Sequence, residues 1–263
     1  MSTLDADTVD RLAAHLEEAE LKAREVEKIT DEYPDLDFED AYAIQWAIRR
    51  RKERAGHRVA GLKMGLTSWA KMAQMGVEQP IYAHLFDYFA VNEGAPLRTD
   101  ELIHPKVEAE IGVVLSRDLS GPGCTIAEVM AAVDVVLPCV EVIDSRYRDF
   151  RFDLVSVIAD NASSARFVTG GVGRSPDGLD LKGLGVVLEK NGQVVATGAG
   201  AAVLGHPLSS VAMLADMLAE RGETIPAGTF VMTGGITAAI AAQKGDHFTV
   251  RYQDLGGISL RFA

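Results

Sequence analysis

Residues 106–115 read Lys-Val-Glu-Ala-Glu-Ile-Gly-Val-Val-Leu, which places two glutamates inside an apolar run with the composition of a buried strand. A spacing of two puts the Glu108 and Glu110 side chains on the same face. Like charges side by side on one face are unfavourable unless water or a cation compensates them. A second apolar stretch, 133–143, repeats the anomaly with Glu141 between Val140 and Val142. Three carboxylates in core-like strands match the hard-oxygen ligand set favoured by Mg²⁺ or Mn²⁺, with waters and substrate completing the shell. A solvated sheet face carrying alternating glutamates has the same pattern, and from pattern alone both readings stand.

The chain has 263 residues, enough to bury a sizeable core in one large domain or two unequal ones. Its net charge of −12 argues against nucleic acid or an anionic membrane as the main partner. An anionic substrate would need a local cation to approach such a surface. The two cysteines, Cys124 and Cys139, form no C-x-x-C pair and no disulfide framework, and they read as small buried hydrophobes. The first residues carry no basic and apolar leader, and no apolar run free of charges is long enough to cross a bilayer. A cytoplasmic chain is therefore expected.

Helical periodicity dominates up to about residue 55. Val9, Leu12, Ala13 and Leu16 follow the i, i+3, i+4, i+7 pattern behind Asp5 and Asp7, and a second helix starts near Asp37 with Ala41, Ile44 and Ile48 on one face. The run Arg49-Arg50-Arg51-Lys52 reads as a solvated last turn complementing the helix dipole. A strand follows at 59–66, then a short helix capped by Ser68 and ending at Gly76. Strands are expected at 106–115, 133–143, 229–233, 247–252 and 257–262, with a hairpin around Asn191-Gly192 and a helix at 208–221. Strands and helices do not alternate regularly, which disfavours a doubly wound parallel sheet. The expected class is α+β, with a small helical N-terminal domain over 1–76 and a mostly β catalytic body over 77–263.

Lys63 sits between Gly61-Leu62 and Met64-Gly65. Desolvation there would lower its pKa toward acid–base use, although an ordinary strand lysine reaching for water fits as well. The segment 160–164, Asp-Asn-Ala-Ser-Ser, is a polar turn suited to capping or to binding a carboxylate. Thr233-Gly234-Gly235-Ile236-Thr237 ends an apolar strand with glycines whose N–H groups can form an anion nest. His104 and His206 each precede a proline and read as loop residues.

These segments, in this order, resemble the fumarylacetoacetate hydrolase superfamily. The similarity is strongest to its branch of hydratases and decarboxylases from bacterial aromatic meta-cleavage pathways, over essentially the whole chain. It is carried by 61–68, by His104-Pro105-Lys106 through Ile111, by 141–147, by 152–154, by 159–164 and by 233–237. The resemblance implies a C-terminal flattened β-roll. It also implies Glu108, Glu110 and Glu141 as ligands of Mg²⁺ or Mn²⁺, and Lys63 as the acid–base group. Ser163 and Thr237 become expected substrate-binding groups, with Leu62 beside Lys63. Glu78 stands where hydratases of the branch tend to carry an aspartate. The stretch 69–75 and His104-Pro105-Lys106 resemble the decarboxylases. The expected reaction is metal-dependent decarboxylation of 2-oxo-3-hexenedioate to 2-hydroxypenta-2,4-dienoate, with hydration of that dienoate as the alternative. Leu62, Met64 and Trp69 are expected to keep water from the reacting carbon. A small dicarboxylic 2-oxo acid is the expected partner, and association with a pathway hydratase is open. A silent partner subunit and a carbon–carbon hydrolase are the remaining alternatives.

Overall fold

The computed structural model describes residues 4–75 and 77–263. The helix end and domain boundary expected at Gly76 lie outside the described residues. Helix α1 (Ala6–Leu21) begins at Asp5, whose carboxylate accepts the Thr8 N–H at 2.7 Å. After the single turn α2 (Ile29–Glu32), helix α3 (Phe38–Arg54) opens with a capping box between Asp37 and Asp40. Both long helices bury the apolar stripe their spacing predicts. The basic run at the end of α3 is not wholly solvated. Lys52 is buried and pairs with Glu20 at 2.7 Å, with its ammonium among the rings of Phe86, Tyr88 and Phe89. Gln45 donates to the carbonyls of Tyr82 and Ile158, both at 3.0 Å, and so pins α3 to the β body.

The chain continues through β1 (Val59–Gly65), α4 (Trp69–Met75), β2 (Ile81–Phe86), β3 (Pro96–Leu97) and β4 (Lys106–Leu115). Next come α5 (Ile126–Ala132), β5 (Val133–Ile143), α6 (Leu154–Ala159), β6 (Ser164–Thr169), β7 (Gly185–Lys190) and β8 (Gln193–Ala199). It closes with α7 (Pro207–Ala219), β9 (Phe230–Gly235), β10 (Ile240–Ala241), β11 (His247–Tyr252) and β12 (Gly256–Phe262). One sheet runs β2-β1-β9-β4-β5-β6, with β10 also on β4; the other runs β3-β12-β11-β7-β8. Pairing is antiparallel except at β1–β9 and β3–β12, so the architecture is α+β and not doubly wound. The sheets meet where the Tyr252 hydroxyl donates to the Cys139 carbonyl at 2.5 Å. β1, from the N-terminal part, lies in the same sheet as the two glutamate-bearing strands.

The β7–β8 turn has positive φ at Asn191 and Gly192, the geometry for which Asn-Gly is suited. Gly200–Ala219 is a 20-residue helical stretch with mean hydropathy 1.4, long and apolar enough for a membrane span despite Asp216. It carries Asp216 and so is not a charge-free run. The stretch is 61% buried inside the molecule, and its helix α7 packs against α5 and β9 as a core element.

Removing the buried Lys52 ammonium leaves Glu20 uncompensated beside three aromatic rings. Lys52→Met should lower the unfolding free energy by about 3 kcal/mol in urea titration. An unchanged midpoint would show that the pair does not fasten the helices to the body.

Candidate active site

The register between β4 and β5 decides the site. Glu108 lies directly across from Glu141, and Glu110 across from Cys139, so the three carboxylates share one face. Their oxygens include a set lying within 4.8 Å of one another, and Glu110 and Glu141 are fully buried while Glu108 is half-buried. A solvated sheet face is thereby excluded. Lys63 arrives from β1, three strand spacings from β5, or about 14 Å in a flat sheet. The sheet curls enough that the Lys63 ammonium sits 3.0 Å from Glu141 Oε2, and it donates to the Ala162 carbonyl at 3.1 Å.

Burial pushes the Glu110 carboxyl well above the usual carboxylate range, and neighbouring Glu141 pushes it further. Burial likewise raises Glu141, against the opposing pull of Lys63. Lys63 corrects the sequence expectation. Its burial favours the neutral amine, but Glu141, Glu110 and Glu108 together outweigh that and raise its pKa. Lys63 is thus the internal countercharge of the three carboxylates. Glu110 Oε1 and Glu141 Oε1 accept no hydrogen bond among the described residues, while Glu141 Oε2 faces the Lys63 ammonium. These buried acceptors, arranged with hard-oxygen chemistry, fit a small divalent cation. Glu110 Oε2 accepts the Gly234 N–H at 2.9 Å, so the anion held by the glycine turn is the protein's own carboxylate. Gly234 has φ +113°, and a Cβ there would stand 2.1 Å from Thr67 Oγ1.

Ser163 and Ala162 belong to a turn in which Asn161, Ala162 and Ser163 all have positive φ, at 48°, 48° and 57°. Three consecutive L-residues in this region are costly and need external support. Asn161 supplies it by bonding both backbone groups of His84: its Oδ1 accepts the His84 N–H at 3.0 Å and its Nδ2 donates to the His84 carbonyl at 2.9 Å. Arg146, buried against Asp160, fixes the start of the turn and donates to the Ser164 carbonyl at 3.0 Å. The turn thereby aims the Ala162 carbonyl at Lys63 and brings Ser163 to the cavity, its buried hydroxyl without a partner among the described residues.

A cavity of about 220 Å³ opens over this face, with Lys63, Lys106, Glu108 and Ser163 among its polar lining. Its apolar wall includes Ile81, Ile143, Phe150, Phe152 and Val157. Met64 also lines it, but Leu62 and Trp69 do not. Leu62 is buried on β1 outside the lining, and Trp69 is 58% exposed on α4. The apolar groups placed at the cavity are therefore Met64 and the aromatic and aliphatic wall, in which the sequence reading marks only Phe152, within 152–154. Glu78 lies on an exposed bend and is not in the lining. Thr237 is buried outside the lining, where its hydroxyl accepts the Ala109 N–H at 3.2 Å and braces β4 between the two glutamates. His104 is a loop residue bonded to the Ser145 carbonyl at 2.7 Å, and His206 caps α7 through Nδ1.

Residues 68–263 match the C-terminal domain of fumarylacetoacetate hydrolase. The chain belongs to the fumarylacetoacetate hydrolase family. Within that family it is 64% identical, over 99% of its length and 98% of the relative's, to a 4-oxalocrotonate decarboxylase of Pseudomonas putida. A 2-keto-4-pentenoate hydratase of Paraburkholderia xenovorans is 38% identical over 96% of the chain and 94% of the relative. Among solved structures, the 4-oxalocrotonate decarboxylase of Pseudomonas putida G7 complexed with magnesium and adipate superposes with a TM-score of 0.99. It is 62% identical, and each chain is covered completely.

Two measurements follow from the turn and the strand it holds. Asn161→Ala should lower kcat/KM about tenfold or more and cost about 2 kcal/mol of stability, with Asn161→Asp intermediate because it keeps only the acceptor. Wild-type kinetics in Asn161→Ala would remove the clamp from the account. His84 is buried, its ring nitrogens have no partner among the described residues, and burial pushes its pKa from 6.5 down to about 3. Its neutral ring therefore contributes stability above pH 6.5 that is lost as pH falls toward 3, because the unfolded chain takes the proton first. Unfolding free energies of His84→Phe should fall less steeply than wild type between pH 6.5 and 4; parallel curves would contradict this.

Proposed function

We infer that the chain is a Mg²⁺-dependent carboxy-lyase that converts 4-oxalocrotonate (2-oxo-3-hexenedioate) to 2-hydroxypenta-2,4-dienoate in aromatic meta-cleavage degradation. The observation that carries this reading is full-length likeness to the decarboxylase bound to magnesium and adipate, well above the likeness to the hydratase. Adipate is a six-carbon diacid like the substrate.

In this reading Glu108, Glu110 and Glu141 hold the cation. Their close oxygens and the unpartnered Oε1 atoms of Glu110 and Glu141 support it. When bound, the cation supplies Lewis-acid stabilisation of the charge that grows on the C2 oxygen, worth several kcal/mol. The protein's own groups do the rest. The C5–C6 bond breaks and C6 leaves as CO₂, while the bonding pair moves through the conjugated chain to the C2 oxygen. Lys63 Nζ, held 3.0 Å from Glu141 Oε2 beside the carboxylates, carries the proton that the C2 oxygen receives. The Ser163 hydroxyl donates to the C1 carboxylate. Phe150, Phe152 and Ile81 keep bulk water from the dienolate, which favours release over hydration.

Metal-stripped protein should leave 2-oxo-3-hexenedioate unchanged, and adding Mg²⁺ should restore loss of its ultraviolet absorbance with release of CO₂. Glu141→Gln should lower kcat/KM about a thousandfold at saturating Mg²⁺. Consumption of 2-hydroxypentadienoate without any CO₂ release from the diacid would assign the chain to the hydratases instead.

A further inference from the structure

We propose that Lys106 receives the second carboxylate of the substrate and so sets the preference for a diacid over a monoacid. The proposal rests on the decarboxylase reading and adds to it the group that recognises the leaving end.

Lys106, Glu108 and Glu110 are alternate residues of β4, and β4 pairs with β5 from Lys106–Ile143 to Glu110–Cys139 without a register shift. The ammonium-bearing side chain therefore stands in one row with the carboxylates, two positions before Glu108, or about 7 Å along the strand. In a six-carbon diacid five carbon–carbon bonds of ~1.5 Å in an extended zigzag span roughly 6 Å. A substrate whose 2-oxo acid end lies over the glutamates thus ends within reach of Lys106.

Two lysines line the cavity, and they differ in what they already hold. Lys63 is committed to Glu141 and to the Ala162 carbonyl. Lys106 forms no ion pair among the described residues, and its Nζ lies 3.5 Å from the centre of the Phe150 ring. In a chain of net charge −12, a dianion needs such a local cation at each end.

The placement also suits the chemistry. The carboxylate loses its charge as CO₂ departs, so a contact with it stabilises bound substrate more than the transition state. Lys106 is accordingly a group for binding and selection, felt in KM. Its ammonium rests on a ring face, and no rigid fork of donors grips the departing group. Phe150 and Phe152 supply the apolar surroundings in which the C6 carboxylate is released.

The test uses the full Mg²⁺-loaded chain with 2-oxoadipate and 2-oxohexanoate, which differ only in the distal carboxylate. By calorimetry, wild type should bind the diacid about tenfold more tightly or better, and Lys106→Met should erase that difference. Lys106→Arg should restore most of it. In turnover, Lys106→Met should raise KM for the substrate about tenfold with kcat unchanged or raised. An unchanged diacid-to-monoacid ratio in folded Lys106→Met, or a fall in kcat at constant KM, would overturn the proposal. The binding ratio is read without turnover. Failure of the decarboxylase reading would show as wild type releasing no CO₂, a separate outcome.

Discussion

The structure turns on one cross-strand pair, Glu108 facing Glu141, with Glu110 two residues along the same strand. Opposed like charges destabilise a sheet, and burying them compounds the cost. The fold tolerates the arrangement because countercharges and donors converge on it. Lys63 is brought over by the curl of the sheet, and the Gly234 N–H reaches Glu110 from a backbone at φ +113° packed against Thr67, where a Cβ would clash. What remains after these contacts is a set of buried acceptors with spare lone pairs, which is the electrostatic demand that a divalent cation meets.

Around that centre the molecule spends backbone strain to aim uncharged groups. Three left-handed residues at 161–163 would not persist alone. They are held between the Asn161 clamp on β2 and the buried Arg146–Asp160 pair. Phe150 is also left-handed and carries its ring to the cavity wall, where Lys106 stacks on it. The site is therefore fixed by ordered strands on one side and by constrained turns on the other, so that a small substrate meets a largely preformed cavity.

Much of this was legible in the sequence, for reasons that differ by element. Carboxylates at spacing two in an apolar run announced the shared face at Glu108 and Glu110, and Asn-Gly announced the β7–β8 hairpin. β2 escaped detection because all of its residues are buried, so it has no alternation to read. Lys63 was legible as an oddity, but the direction of its pKa was not, since that depends on carboxylates from strands distant in sequence. Leu62 was attached to the site by adjacency to Lys63 and Glu78 by the resemblance, and neither lines the cavity: Leu62 is buried on β1 and Glu78 lies on an exposed bend. The hydroxyl of Thr237 turned out to brace β4. Lys52 looked like one more residue of a basic helix end, and only tertiary packing reveals its pairing with Glu20. The cavity wall as a whole was not legible either, because Ile81, Ile143 and the Phe150–Phe152 segment come together only in the fold.

The most direct test of the central claim is thermal unfolding of metal-stripped protein with and without Mg²⁺, in wild type and in Glu110→Gln. If the buried carboxylates form the cation site, Mg²⁺ at about a hundred times its dissociation constant should stabilise wild type by about 2.7 kcal/mol, and Glu110→Gln should lose most of that gain. Equal stabilisation of both proteins, or none in wild type, would mean that the three glutamates face one another for some other reason.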